Sequence, residues 1–551
     1  MRGHRIGHAT TIVVVCLVAA AAFASPAGAR GPAAASVERT LPRLRDADDG
    51  LARALAEGRL SEAEYALERA LSLVEPERAR RLFGALAEPG RHDGTPILRD
   101  LAARLPGLAP ARRKEAERIL ARPTDRRDAI HGYRTTATRH ACDPRLCIWW
   151  VTKTSDAPSL VDRNRNGLPD WVDRTRTAFT RVWRTEIGRF GYARPRSDVG
   201  SRNHGVDGRL DVYIGDVGSI GLYGYCTTDD PLRAYRRSVS SYCVVDDDFS
   251  ARQFSGAATG IAALRVTAAH EFFHAVQYAY DWLEDLWLME GTAAWIEDEV
   301  FDGVNDNRQY LRTSPLSPRF FWYPLDYYNP DPAEVDAGLK YGAWIFWRYL
   351  SERYGRGIVR GVWRRADARR GAPNEYSAKA VSSVLRIRGL DLGDVFADFG
   401  VANFLPRASY SEGASYPAPL PTRTFAVTAS GVGRTGAPMY HLANDYYAFR
   451  PSGLTVDATL SLAVEVPPAR TGVRAGALVE RSDGTVTRVG AEFDPVANAW
   501  RISVPGFGAT MRVVLVLTNA GTRYRCRQRT VFSCQGVPLD DSRFSFQASV
   551  G

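Results

Sequence analysis

The sequence predicts a mixed α+β domain set between a helical N-terminal region and an all-β C-terminal region. Three observations carry this. Residues about 36–125 are rich in Ala, Leu, Arg and Glu, with apolar positions recurring at helical spacing. The middle of the chain combines short β-branched runs with longer helical stretches, and from about residue 418 short alternating runs are separated by Gly, Pro and Asn turns. The implied boundaries are a leader over 1–29, a helical region over 30–128, a central domain over 129–410 and a β domain over 418–551.

The leader carries Arg2 and Arg5, an uncharged run from Ile12 to Ala24, and the small residues Ala27-Gly28-Ala29. That order of charge, apolar core and small residues is a secretory signal peptide. The apolar run is too short for a permanent membrane span. Cys16 follows Val15, where a lipoprotein signal would place a small residue. The chain is therefore expected to be secreted and extracellular, with no membrane span.

In the helical region, Ser61-Glu62-Ala63-Glu64 begins like a capping box ahead of an apolar run. In an exported protein such a region is either a permanent domain or a propeptide, with Arg122, Arg126 and Arg127 offering a processing site. It contains no cysteine, so no thiolate from it could block a metal.

Excluding Cys16, six of the seven cysteines remain, in an exported chain where disulfides are expected. They fall in three separate regions, which favours the local pairs Cys142 with Cys147, Cys226 with Cys243, and Cys526 with Cys534. A cysteine metal site is the alternative, but no C-x-x-C supports it.

Strands are predicted at Cys147–Thr152, Leu210–Ile214 and Tyr242–Val245, the last as a sheet edge against which an extended peptide could lie. Between the first two, residues 162–173 place oxygen donors as a twelve-residue calcium loop does: Asp162, Asn164, Asn166, the Leu168 carbonyl, Asp170 and Asp173, with Gly167 at the turn. It resembles extracellular calcium loops, but departs from them in having Asp173 in place of a bidentate Glu and a proline at the eighth position. The alternative is an Asn-Gly turn that caps a helix over Trp171–Phe190.

The most informative stretch is His270-Glu271-Phe272-Phe273-His274. A helix turns about 100° per residue, so the two imidazoles share one face about 6 Å apart and can close on one ion. This is the H-E-x-x-H arrangement in which two histidines hold zinc and the glutamate beside them serves as general base. Phe272, Val276 and Ala279 point the other way, toward packing. A catalytic zinc needs a third protein ligand. Leu286 to Val300 reads as a second amphipathic helix whose apolar stripe excludes Glu290, with Asp281, Glu284 and Asp285 as a polar connection turning the chain back. Glu290 is the expected third ligand, with Gly291 allowing the two helices to approach closely. Glu297, about 10 Å further along the axis, is the alternative. It belongs to the charge run Glu297-Asp298-Glu299, which suggests a solvated face.

His-Glu-Phe-Phe-His followed by Trp287-Leu288-Met289-Glu290-Gly291-Thr292-Ala293-Ala294-Trp295 resembles the gluzincin clan of metallopeptidases, in particular secreted bacterial metalloproteases with a W-x-x-E-G-T-A-x-W second helix. The resemblance covers residues about 130–405. It implies a zincin-like catalytic domain, with His270, His274 and Glu290 as zinc ligands and Glu271 as general base. It also points to Tyr341, at the start of the apolar run Lys340–Leu350, as donor to a developing oxyanion. The residue-level alternative is that Tyr341 caps a buried helix with its phenol in water. A histidine like the third metzincin ligand is absent after His274.

C-terminal strands are predicted over Thr455–Val466, Gly476–Glu480, Trp500–Val504, Arg512–Leu517 and Ser545–Val550, as in an all-β sandwich. The net charge of +10 rests on scattered arginines, lysine occurring only at Lys114, Lys153, Lys340 and Lys379. No basic stripe with interleaved aromatics points to nucleic acid. The expected activity is zinc-dependent hydrolysis of peptide bonds in a peptide or protein substrate. The alternatives are a catalytically inactive zinc-containing protein that binds a cell surface or partner through its C-terminal domain, and a hydrolase acting on another amide or ester.

Overall fold

The structure, a computed structural model, describes residues 39, 41, 48–87, 89–125, 130, 132–201, 204–228, 230, 237–254, 258–327, 338–466, 472–522 and 542–551. The predicted signal peptide, Arg126, Arg127 and the Cys526–Cys534 pair lie outside the described residues.

The N-terminal region folds into α1 (Gly50–Ala56), α2 (Glu62–Val74), α3 (Pro76–Phe83), α4 (Gly94–Arg104) and α5 (Pro110–Ile119). The capping box at the start of α2 is present: Glu64 N donates to Ser61 Oγ (3.2 Å) and Ser61 N donates to Glu64 Oε2 (2.9 Å). Leu67, Leu71, Ile97, Leu98 and Leu101 belong to the same apolar core as the central sheet, so the region does not bury its apolar faces by itself. Arg122, expected as part of an exposed processing site, is fully buried. Its guanidinium pairs with Asp198 (2.6 Å) and with Asp211.

The central domain begins with β1 (Thr138–Cys142), β2 (Leu146–Val151), α6 (Asp170–Trp183), β3 (Leu210–Gly215), β4 (Gly224–Thr227) and β5 (Tyr242–Asp246). The sheet order is β1-β2-β3-β5-β4, with β2, β3 and β5 mutually parallel and β1 and β4 antiparallel to their neighbours. The predicted edge at Tyr242–Val245 is therefore wrong. β5 runs between β3 and β4, and β4, which the sequence reading missed, forms that edge. Its four residues, Gly-Tyr-Cys-Thr, are too few to show a period of two. Disulfides join Cys142 to Cys147 across the β1–β2 hairpin and Cys226 to Cys243, directly opposed on β4 and β5. α6 ends at Trp183, earlier than predicted, and continues as a π-helical segment, Arg184–Arg189.

Behind the sheet lie α7 (Gly260–Asp281) and α8 (Leu286–Phe301), joined by the short connection 282–285. α7 is buried on every face from Val266 onward, not only on the face opposite the histidines. Then follow α9 (Leu339–Gly342), α10 (Trp344–Tyr354), α11 (Gly357–Ala366), α12 (Ala378–Ile387), α13 (Leu392–Phe404) and α14 (Pro406–Ser409).

The C-terminal region contains β6 (Arg423–Val427), β7 (Val432–Met439), β8 (Ala443–Pro451), β9 (Leu460–Glu465), β10 (Val473–Arg481), β11 (Val486–Gly490), β12 (Glu492–Asp494), β13 (Ala499–Val504), β14 (Thr510–Asn519) and β15 (Ser542–Val550). They form two five-stranded sheets, β11-β10-β14-β8-β6 and β12-β13-β9-β15-β7, that share one apolar core including Phe449, Leu462, Val464, Leu515 and Phe546. The sequence reading missed β6 to β8, β11 and β12. The first sheet also packs on the central domain, where Phe404 meets Tyr446 and the Tyr446 hydroxyl donates to Gly400 O (2.8 Å).

Candidate metal centre

α7 and α8 bring three donors to one point. Glu290 Oε2 lies 3.4 Å from His270 Nε2 and 3.5 Å from His274 Nε2. Three atoms bound to one zinc at about 2.0–2.2 Å with tetrahedral angles would stand about 3.3–3.5 Å apart. Glu290 thus already has zinc-ligand spacing to both imidazole nitrogens, and the three donor atoms lie within 4.8 Å of one another. All three side chains are fully buried, and His270 Nε2, His274 Nε2 and both Glu290 oxygens have no hydrogen-bond partner among the described residues. Buried polar atoms are in general paired, and four unpaired ones converging on one point have the chemistry to hold a cation.

The other nitrogen of each imidazole is held from behind. His270 Nδ1 is 2.6 Å from Glu297 Oε1, and His274 Nδ1 is 2.7 Å from Gln277 Oε1. Gln277 in turn donates from Nε2 to Met289 O (2.8 Å) and Thr292 Oγ1 (3.1 Å), tying the first helix to the second. Such bonds fix the tautomer that presents Nε2 to a metal. The expectation of a solvated face at Glu297-Asp298-Glu299 is corrected here. Glu297 is almost wholly buried, two helical turns beyond Glu290, and serves as the support of His270. Asp298 is bonded to Arg348 (2.7 Å). Charge runs are solvated only where no other element covers them, and here His270 of α7, Arg348 of α10 and Arg356 each pair with a member of the run.

Gly291 is needed for close approach, though to a different helix than expected: a Cβ there would lie 2.9 Å from Trp347 Nε1 and 3.2 Å from Ala343 Cβ. The connection residues Asp281, Glu284 and Asp285 are buried, not exposed. Arg99 of α4 reaches them, donating from Nη1 to Glu284 O (2.6 Å), and Arg237 pairs with Asp281 (2.7 Å).

Glu271 points beside the donor cluster, and burial pushes its carboxyl up to about 7. A base poised near neutrality is suited to taking and returning a proton. Burial holds the His270 imidazole down at about 4. Burial also opposes ionisation of Glu290, but the facing His274 and His270 imidazoles outweigh it and hold the carboxyl well below the usual range; burial likewise opposes the charge on His274, and Glu290 outweighs it and raises that imidazole. The cluster thus favours the carboxylate at Glu290 and the neutral imidazole at His270, while His274 is drawn toward the protonated form, whose proton a cation would displace.

Tyr341, at the centre of α9, comes within reach, its ring centroid 6.1 Å from that of His270. Its phenol is not in water, the alternative weighed from sequence: it is buried and donates to Asp93 Oδ1 (2.7 Å). Asp93 belongs to a group of residues that the sequence reading did not connect with the site. His92 stacks on His270 with ring centroids 4.1 Å apart, and its Nδ1 is 3.8 Å from Glu271 Oε1. Thr95 donates from Oγ1 to Glu271 Oε2 (2.9 Å). No local pattern marks these residues, because they lie 176 positions from Glu271 in the case of Thr95.

The 162–173 loop is formed and exposed. Asp162 accepts from Asn166 N (3.2 Å) and Gly167 N (2.9 Å), and Asp173 accepts from the Asn164 amide (3.2 Å) and from that of Asn166. Leu168 N donates to Asn166 Oδ1 (2.9 Å), and Asp170 accepts from Arg163 N (2.9 Å). Gly167 has φ +86°, as the turn requires. Elsewhere, Asp216, Asp246 and Asp247 also cluster, but the Asp246 carboxylate is taken by the backbone N–H groups of Gly218 (2.5 Å) and Phe249 (2.6 Å).

No protein-family profile matches the chain, and no curated protein is significantly similar to it. No described helix is long and apolar enough to cross a membrane.

Proposed function

We propose that this chain is a secreted zinc-dependent endopeptidase of gluzincin type. The observation that carries the reading is the convergence of His270, His274 and Glu290 at zinc-ligand spacing, with their facing atoms unpaired and Glu271 alongside. When bound there, zinc would polarise the scissile carbonyl and acidify a water. Glu271 takes the proton of that water and returns it to the leaving amine. His270 and His274 are kept in the ligating tautomer by Glu297 and Gln277. Tyr341 serves as the oxyanion donor once its hydroxyl exchanges Asp93 for substrate. The central domain is on this reading zincin-like, with β4 as the edge that receives an extended peptide, and the C-terminal sheets form a sandwich that contacts a cell surface. The 162–173 loop binds Ca2+ in a structural role, its carboxylates and amide oxygens turning toward the ion.

The test is Glu271→Gln. The variant retains zinc by metal analysis and loses hydrolysis of a denatured protein mixture, and substantial remaining hydrolysis would sink the mechanism. The second reading, an inactive zinc-containing protein, draws on the complete burial of Glu271 and the ligands. Failure of zinc-loaded protein to cleave any peptide after displacement of the residues that cover the site would favour it.

A further inference from the structure

A peptidase site must be reached by its substrate, yet His270, Glu271, His274 and Glu290 have no solvent exposure at all. Over His270 and Glu271 lie residues 90–95, which run from the connection after α3 into the first turn of α4. Arg91 O accepts from Tyr223 N (2.8 Å), immediately before the edge strand β4. Thr95 Oγ1 accepts from Cys226 N on β4 itself (2.8 Å) while donating to Glu271. Two backbone donors of the edge region, where an extended peptide would bind, are thus taken by the chain itself. Gly94 passes so close to β4 that a Cβ would lie 2.8 Å from Tyr225 Cβ and 3.0 Å from Gly224 O. Asp93 engages Tyr341 and, at 2.7 Å, Lys340 Nζ. The His92 ring lies flat on His270, with both its nitrogens unpaired among the described residues.

We propose that residues 90–95 are an intramolecular inhibitor: they lie in the substrate's place along β4, occupy the general base through Thr95 and the oxyanion donor through Asp93, and keep the full-length chain latent. This rests on the peptidase reading above. The block is by occupation of the protein groups that substrate would use, which explains how a segment without cysteine can silence a zinc site. Activity requires the segment to leave β4.

The experiment uses the full-length zinc-loaded chain, a fluorescent peptide hydroxamate as active-site probe, and denatured casein as substrate. Gly94→Trp expels the segment for want of space at Tyr225, and Thr95→Val removes its hold on Glu271 without changing its size. The expected result is probe binding about tenfold tighter or more in Gly94→Trp than in the natural chain, an intermediate gain in Thr95→Val, and casein cleavage rising in the same order. A natural full-length chain that binds probe and cleaves casein as well as both variants, with zinc retained in all three, overturns the inhibitory role and leaves the peptidase reading standing. Zinc absent from all three chains removes the peptidase reading, and the inhibitor with it. Should Gly94→Trp fail to fold, Asp93→Asn with Thr95→Val takes its place. Loss of zinc from these variants alone would make the segment a support of the metal centre and overturn the proposal.

Discussion

Replacing Glu297 by Gln tests whether this residue supports His270, as the geometry indicates, or is itself a ligand. The contact to His270 Nδ1 is 2.6 Å long, just under the about 2.7–2.9 Å of a charge-assisted N–H···O bond, and both side chains are buried. Bonds to charged groups contribute about 1.5–3 kcal/mol. With about 1.4 kcal/mol per factor of ten, losing most of that costs zinc affinity about tenfold to a hundredfold, in line with measured outer-shell effects on metal sites. Gln keeps an oxygen to accept the Nδ1 hydrogen, so Glu297→Gln should fall near the lower figure. Glu297→Ala, which leaves the imidazole N–H unpaired in the interior, should fall near the upper. The assay is competition for zinc against a chromophoric chelator, with Glu290→Ala measured alongside. Glu290→Ala removes a ligand and must cost more than either Glu297 variant. The assignment is refuted if Glu297→Gln leaves zinc affinity unchanged, or if either Glu297 variant loses more zinc than Glu290→Ala.

Two further outcomes concern stability. Glu186, in the π-helical segment, is fully buried with neither carboxylate oxygen paired among the described residues, and burial raises its carboxyl well above the usual value. Below about pH 4 both folded and unfolded chains carry the proton and nothing is lost. As pH rises past the unfolded value only the unfolded chain ionises, so the folded state loses stability up to the folded value. Glu186→Gln should therefore raise Tm at pH 7 and leave it nearly unchanged at pH 4, measured by thermal unfolding, and an equal gain at both pH values would exclude ionisation as the cause. Gly291→Val should destabilise the chain by about 1–3 kcal/mol, because the added atoms meet Trp347 and Ala343 in a packed core. Chemical denaturation measures this, and an unchanged midpoint would show that α10 yields.

How much could be read in advance differs between elements for reasons of distance along the chain. The capping box at Ser61 and the helices carrying His270 and Glu290 rest on contacts within a few residues, and they fold as the spacing implies. The local cysteine pairs at 142–147 and 226–243 likewise form within one hairpin and between adjacent strands. β4 and β8 were missed because strands buried on both faces carry no alternation to see; β6 and β7 do alternate in burial, and their Arg, Thr, Gly and Pro content hid them. Glu290 faces both imidazoles, as the spacing suggested, but the reason offered against Glu297 was wrong. Glu297 stands buried behind His270, not in solvent.

The sequence by itself determined the chemistry on offer at this site, because the i, i+4 spacing of His270 and His274 and the helical placement of Glu290 are properties of local backbone geometry. It also determined that the cysteines near Cys142 and Cys226 could pair at short range. Only the tertiary structure decided which carboxylate faces the imidazoles and which stands behind them, since that depends on how α8 is rotated and covered. The tertiary structure also placed His92, Asp93 and Thr95 against Glu271 and Tyr341. Contacts between residues so far apart in sequence leave no period or motif, and appear only when a shared apolar core draws the N-terminal helices onto the sheet.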